Sequence, residues 1–136
     1  QGDVLNWPGH LALPAVYGQI DRHRALAERY GLELVAYEAG QHLVGVGSAM
    51  HDPRIEKLFI AANRDPRMGE LYTGYLNGWR QRGGHLLMHF NSVSRYTRYG
   101  SWGAKEAQNQ IGAPKSDALL RFITLNPCWW QQCGVP

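Results

Sequence analysis

The fold of this chain is decided by the stretch between residues 32 and 42, which reads LELVAYEAGQH. Its apolar run, 34–37, lies between two helical patterns and has the length and content of a buried strand in a parallel sheet. The run ends at the carboxylate of Glu38. Because parallel α/β sheets bind ligands beyond the carboxyl ends of their strands, we expect Glu38 to lie in the functional site. The alternative is an ordinary strand-terminal acid, paired with an arginine or a backbone amide.

Helical and strand patterns alternate along the rest of the chain. Gly31 ends the first helix as a left-handed cap residue, and Asp52-Pro53 and Asp65-Pro66 each place an N-cap acid before a proline at a first helical position. The predicted elements are a helix over 15–30, a strand over 32–37, helices starting at 53 and 66, a strand over 85–90, a short helical segment near 104–110 and a last helix from 114 to about 126.

This order predicts an α/β fold, helix-strand-helix-helix-strand-helix, with a parallel sheet and right-handed crossovers. Two strands cannot cover all the amphipathic helix faces, and a closed eight-stranded barrel needs about 250 residues, whereas the chain has 136. We therefore predict one α/β domain over 1–136, with an N-terminal loop (1–14) and a C-terminal tail (127–136), that is the carboxyl-terminal portion of a parallel (β/α) barrel and incomplete as a lone chain. The chain lacks an initiator Met, so we expect it to be processed or cut from a longer protein.

Composition argues against several classes of partner. No apolar run approaches 18 residues, so no membrane span is expected. The net charge is only +3 and the one short basic and aromatic patch, 95–99, is too sparse for a nucleic-acid surface. The chain does hold five Trp and seven Tyr, several of them in predicted loops, and flat rings with a polar handle stack well on sugars.

Cys128 and Cys133 leave two alternatives open. Their spacing does not match a zinc or thioredoxin-type site, and no second pair completes a set of four ligands. A disulfide that closes this small loop is expected if the protein is exported. Two unpaired core thiols is the other reading.

Four segments together resemble the last third of bacterial glycoside-hydrolase-like (β/α)8-barrel proteins, a cellulase-like group. They are Tyr37–Leu43, Asn63–Met68, Gly100–Gly103 and Ala113–Lys115, and the similarity extends over most of residues 15–130. In retaining barrel glycosidases a Glu at the end of the seventh strand is the nucleophile and an aromatic residue after the eighth strand is a sugar platform. The resemblance therefore implies that Glu38 is the nucleophile and Trp102 the platform.

The same resemblance implies that half of the catalytic pair is missing. Retention needs a second carboxyl group about 5 Å away as general acid, and such enzymes supply it from a strand that would precede this chain. Glu70 and Glu106 are the candidates within it, and neither fits well. We expect the isolated chain to be weakly active or inactive.

The predicted function is thus a retaining glycoside hydrolase-like protein that acts on or binds β-linked polysaccharide of the cellulose or β-glucan type. The predicted substrate-binding residues are Tyr37, Gln41, His42, His89, Asn91, Tyr96, Tyr99 and Trp102. No cofactor and no metal are expected. The expected partners are a polysaccharide or oligosaccharide and either a homo-oligomer or an N-terminal barrel portion, with no nucleic acid or membrane, in a secreted or periplasmic setting.

Two alternatives from other classes remain open. The first is a non-catalytic carbohydrate-binding module, in which Trp102, Tyr96, Tyr99 and His42 hold a polysaccharide and Glu38 only accepts hydrogen bonds. The second is a metal-dependent enzyme built on Glu38, His42 and His89. His85 is excluded from that set, because two residues four apart on a strand lie about 13 Å from each other.

Overall fold

The predicted order of elements is confirmed. In the computed structural model of the protein the described residues are 13–131 and 133. Their elements are α1 (Leu13–Arg29), β1 (Leu34–Ala39), a 3-10 helix (Gly47–His51), α2 (Pro53–Arg64), α3 (Pro66–Gln81), β2 (Gly84–His89) and α4 (Pro114–Leu125). The predicted N-terminal loop lies outside the described residues except for its last two, which belong to α1.

Local sequence signals place the helix ends as expected. The Asp52 carboxylate accepts a hydrogen bond from the Arg54 amide at 2.8 Å, and Asp65 accepts one from the Arg67 amide at 2.9 Å. Each bond satisfies one of the amide groups that a helix leaves free at its start. Gly31 follows α1 with a φ of 64°, which confirms the left-handed cap.

The two strands form a parallel sheet with their carboxyl ends side by side. Ala39, the last residue of β1, lies opposite His89, the last residue of β2. The Ala39 carbonyl also accepts a hydrogen bond from the Phe90 amide at 2.9 Å, one residue beyond the strand. The loops that leave both strands therefore start from one edge of the sheet, as a parallel α/β arrangement requires.

The core lies mainly between α3 and α4. Met68 and Tyr72 on α3 pack with Ala118 on α4, and Leu43 and Leu119 close over this cluster. The aromatic side chains of Tyr72 and Trp79 on α3 are both buried and belong to the core-facing side of the helix. Trp79 lies directly against Gly84, since a Cβ there would be only 2.1 Å from its ring, and this contact fixes the end of α3 on β2.

One face of the sheet is uncovered in the described chain, so the prediction of a buried strand is wrong for that face. Val35 is 50% exposed and Tyr37 is 86% exposed on β1, and Leu86 and Met88 are likewise exposed on β2. Parallel sheets in stable proteins have both faces covered. The apolar content of the run 34–37 predicted a strand correctly, but burial depends on what packs against it.

Two predicted elements have wrong boundaries. The first strand begins at Leu34 rather than at Leu32, because the Leu32 amide donates to the Ala27 carbonyl and continues the end of α1. This strand also extends to Ala39, so Glu38 is its penultimate residue and does not follow it. Residues 104–110 are not helical. The amide and carbonyl of Lys105 are bonded instead to the loop at Ser92 and Ser94, at 3.1 Å each.

The C-terminal tail packs back on the end of the last helix. Trp129 meets the ring of Phe122 edge-on at 5.8 Å, and its indole donates to the Gly84 carbonyl at 2.9 Å. Cys128 and Cys133 form a disulfide, with Cα atoms 5.3 Å apart. The disulfide is one of the two alternatives that the sequence left open.

None of the described helices is long and apolar enough to cross a membrane.

The α3–α4 core predicts a large stability effect at one position. Met68 is 2% exposed, so Met68→Ala leaves a cavity and should lower the free energy of unfolding by about 2–5 kcal/mol. Ile123→Ala on α4 is the control, since Ile123 is 67% exposed and little contact is lost. Urea denaturation of both variants would measure the difference. Equal midpoints would contradict the assignment of the core.

Candidate functional site

The candidate site is the edge of the sheet where β1 and β2 both end. Glu38 is exposed there and has no hydrogen-bond or ion-pair partner among residues 13–131 and 133. Its carboxylate is therefore open to approach by a ligand. The expectation that Glu38 pairs with an arginine or an amide finds no support in the described part of the chain. Tyr37, one residue earlier, is 86% exposed.

The two loops that follow the strands meet through their rings. His42, after β1, lies 5.0 Å from Trp102, after β2, with the ring planes tilted by 44°. The indole of Trp102 donates to the Tyr99 carbonyl at 3.1 Å, while the Tyr99 side chain is 66% exposed. His42 and Trp102 are far apart in the sequence and on different loops, and the tertiary structure brings their rings into contact.

Gln41 holds its loop rather than facing a ligand. Its side-chain amide donates to the Ser101 carbonyl at 2.8 Å and accepts from the Leu43 amide at 2.7 Å. Its backbone amide donates to the Tyr72 hydroxyl at 3.1 Å. With these bonds made, Gln41 has little capacity left for sugar hydroxyls, so we assign it a structural role at the rim.

Asn91 and Tyr96 are likewise engaged by the protein. The backbone of Asn91 is bonded to Trp102 and Ala104 at 3.1 and 2.8 Å, which seats the aromatic loop against the end of β2. The side-chain Oδ1 of Asn91 is buried and has no hydrogen-bond partner among the described residues. The Tyr96 hydroxyl donates to the Gly103 carbonyl at 3.0 Å. Burial, together with the nearby Glu106, raises the pKa of Tyr96 to about 12.

His89 is the last residue of β2, and its side chain points towards α3. Its ring is edge-on to Tyr72 at 5.5 Å, and its Nε2 is buried with no partner among the described residues. Burial, with a smaller effect of Lys115, lowers the pKa of His89 to about 4. The imidazole is therefore neutral at physiological pH.

The structure adds a residue that sequence reasoning missed. Lys115, at the start of α4, has no exposed surface. Its ammonium donates to Asn63 Oδ1 at 2.8 Å and to the Ser101 carbonyl at 2.5 Å, and it lies 4.5 Å from the centre of the Tyr96 ring. Burial lowers the pKa of Lys115 to about 7, against the opposing effect of Glu106. A lysine in a first helical turn is ordinarily taken for a surface residue, so no pattern pointed to it.

Neither of the two candidate acids within the chain belongs to the end of a described strand. Both carboxylate oxygens of Glu106 accept from the Arg64 guanidinium, at 2.7 and 2.8 Å. Glu70 is exposed in the second turn of α3. Glu38 is thus the one open carboxylate among the described residues at the strand ends.

The metal-site alternative is not supported within residues 13–131 and 133. No three His, Cys, Asp or Glu residues come together there in a group that could hold a metal ion. Glu38, His42 and His89 in particular do not form such a group.

The buried lysine predicts an unusual pH dependence of stability. Between about pH 7 and 10.5 the unfolded chain holds a proton on Lys115 that the folded chain releases, so the free energy of unfolding should rise with pH. The raised pKa values of Tyr72 and Tyr96 act in the opposite direction only above pH 10, their ordinary value. Urea denaturation between pH 7 and about pH 9 measures the slope. It should be lost in Lys115→Met and kept in the exposed control Lys57→Met, and an unchanged slope in Lys115→Met would contradict the assignment.

Comparison of the chain with models of protein families, with curated proteins and with solved structures finds no match. Nothing in these comparisons bears on the predicted resemblance to barrel glycosidases, which stays a prediction. The function is therefore inferred from the geometry of the site, which has an open carboxylate and a pair of rings at the carboxyl ends of two parallel strands.

Proposed function

We propose that the chain is the sugar-facing, carboxyl-terminal part of a retaining glycoside hydrolase-like α/β barrel that binds a β-linked glucan. The observation that carries the proposal is the open Glu38 carboxylate at the same sheet edge as the His42–Trp102 pair. A retaining mechanism needs a carboxylate that can reach the anomeric carbon, and a sugar ring needs a flat surface on which to stack.

Each role is assigned from the groups of the side chain that are not bonded within the protein. Glu38 attacks the anomeric carbon and forms a covalent glycosyl ester. Trp102 and His42 form a stacking surface, and the exposed side chain of Tyr99 extends the aromatic rim. Tyr37 has no part in this surface, because it lies on the uncovered face of the sheet. The general acid comes from outside the described chain, because Glu106 is held by Arg64.

The state of the sheet supports a larger barrel. The two described strands pair only with each other, so each has one free edge within residues 13–131 and 133. One face of the sheet is apolar and exposed, as is the outer face of α4 at Leu120 and Ile123. Further parallel β/α units would pair with both edges and cover these surfaces. They would belong to the same protein or to another copy of it.

A second candidate is a non-catalytic carbohydrate-binding module. The exposed aromatic side chains favour it as much as they favour a hydrolase, and the absence of a second open carboxylate among the described strand-end residues is what such a module would show. The two candidates differ in whether Glu38 reacts with the sugar.

Binding is tested by removing the proposed platform. Trp102→Ala should lower the affinity for a soluble β-glucan by about tenfold through the loss of ring stacking. Tyr30→Ala is the control, because Tyr30 is 69% exposed but precedes β1 at the opposite end of the strand. Affinity electrophoresis in gels with and without the glucan compares the variants. Equal retardation of Trp102→Ala and the wild type would remove Trp102 from the site.

The role of Glu38 as nucleophile can be tested with a substrate that needs no general acid. A 2-deoxy-2-fluoro-β-cellobioside with a dinitrophenolate leaving group needs no protonation, because dinitrophenolate departs as a stable anion. The Glu38 carboxylate displaces it, and the fluorine slows hydrolysis of the glycosyl ester. Mass spectrometry should find one added 2-deoxy-2-fluorocellobiosyl group on Glu38, none in Glu38→Gln, and full labelling in the control Glu33→Gln. An unlabelled wild type that still binds glucan would favour the non-catalytic module.

Turnover by the lone chain should be weak or absent on unactivated β-glucan, because no acid protonates the leaving oxygen. Release of reducing sugar by the purified 136-residue chain is the measurement. A robust rate, lost in Glu38→Gln, would show that the chain contains its own acid.

A further inference from the structure

The burial of Lys115 at the start of α4 costs free energy of folding, which suggests that the lysine has a functional role. A cation at the start of a helix opposes the helix dipole, and a buried ammonium loses its hydration. No carboxylate among the described residues pairs directly with it, and its partners are a neutral amide, a carbonyl and a ring. Departures of this kind from local rules concentrate at functional sites.

The partner that gives Lys115 a role is the Ser101 carbonyl. This single oxygen accepts both the Lys115 ammonium at 2.5 Å and the Gln41 side-chain amide at 2.8 Å. Ser101 immediately precedes Trp102, and Gln41 immediately precedes His42. The brace formed by Lys115, Ser101 and Gln41 thus joins the loop after β1 to the loop after β2 directly behind the ring pair.

The ring at one end of the brace has little room to move. A Cβ on Gly100 would lie 2.0 Å from the Trp102 ring, so the indole rests on the backbone of the preceding turn. The Gly103 amide is bonded to Ser94 Oγ at 2.8 Å on the other side. Trp102 is therefore held within its own loop, and the bond from Gln41 to the Ser101 carbonyl sets the position of this loop relative to the loop of His42.

We propose that Lys115 is a positioning residue for sugar binding: through the Ser101 carbonyl and Gln41 it holds His42 and Trp102 as one stacking surface. This inference rests on the proposed function for the identity of the ligand. Lys115 itself touches no ligand, because it has no exposed surface. Its role is to hold the two rings in their binding arrangement before the sugar arrives.

The experiment removes each of the two hydrogen bonds to the Ser101 carbonyl in a separate variant. Lys115→Met keeps the length of the side chain without the donor, and Gln41→Met removes the amide should the first variant fail to fold. Lys57→Met, on the exposed face of α2, is the matched control. Affinity for cellohexaose is measured by calorimetry. Cross-peaks between the ring protons of His42 and Trp102 in NMR spectra report the ring pair independently of any ligand, as expected for centroids 5.0 Å apart.

We expect Lys115→Met and Gln41→Met to lose the His42–Trp102 cross-peaks and to bind cellohexaose about tenfold more weakly, because two side chains then have to be ordered on binding. Lys57→Met should match the wild type in both measurements. Butylammonium should restore the cross-peaks in Lys115→Ala, since Asn63 and Tyr96, which both contact the lysine, also line a cavity of about 240 Å³ through which it can enter. A general loss of packing would not be rescued in this way.

The outcomes separate the two proposals. Unchanged affinity in both brace variants overturns the positioning role, whether or not the cross-peaks persist. A wild type that binds no glucan overturns the proposed function, and the cross-peaks alone then decide whether the brace orders the rings. Persistent cross-peaks in both variants would overturn the inference in that case as well.

Discussion

The buried amine of Lys115, with its hydrogen bonds to Asn63 and Ser101, is the group on which the site depends. It links the end of α2, through Asn63, to the aromatic loop, through Ser101, from its own place at the start of α4. An amine without water must have its donors satisfied by the protein, so these three segments cannot separate without leaving a buried polar group unpaired. The Ser101 carbonyl extends the same constraint to Gln41 and the loop after β1.

The parallel sheet, in contrast, is packed on only one of its two faces within the described chain. Its inner face meets the α3 core, whereas Val35, Tyr37, Leu86 and Met88 on the other face are exposed. An apolar surface of this kind next to free strand edges is unstable in water and prone to pairing. The site therefore lies on the boundary between a well-packed part, α3 and α4, and a surface that further elements would complete.

The location of the candidate site was predictable from the sequence. Which of its side chains are free for a ligand, and which are bonded within the protein, was not. The sequence indicated that Glu38, His42 and Trp102 follow strand ends, and the rings of the last two do meet. Gln41 and Tyr96 carry the same polar and aromatic character, yet the hydrogen bonds of their side chains are made within the protein. Residue type does not reveal whether a polar group is already paired, since its partner can lie 60 residues away, as Ser101 does from Gln41.

The sequence by itself determined the element order, the helix starts at Asp52-Pro53 and Asp65-Pro66, and the glycine end of α1, because these features depend on neighbouring residues within one or two turns. Only the tertiary structure decided that residues 104–110 leave the helical conformation, that one sheet face stays uncovered and that Lys115 is buried. Each of these depends on a contact between distant segments: Lys105 with the loop at Ser92, the sheet with whatever packs on it, and an ammonium with a carbonyl fourteen residues earlier. Local pattern carries no information about such partners, because the free energy of pairing a buried group is set by which atoms meet and not by their spacing along the chain.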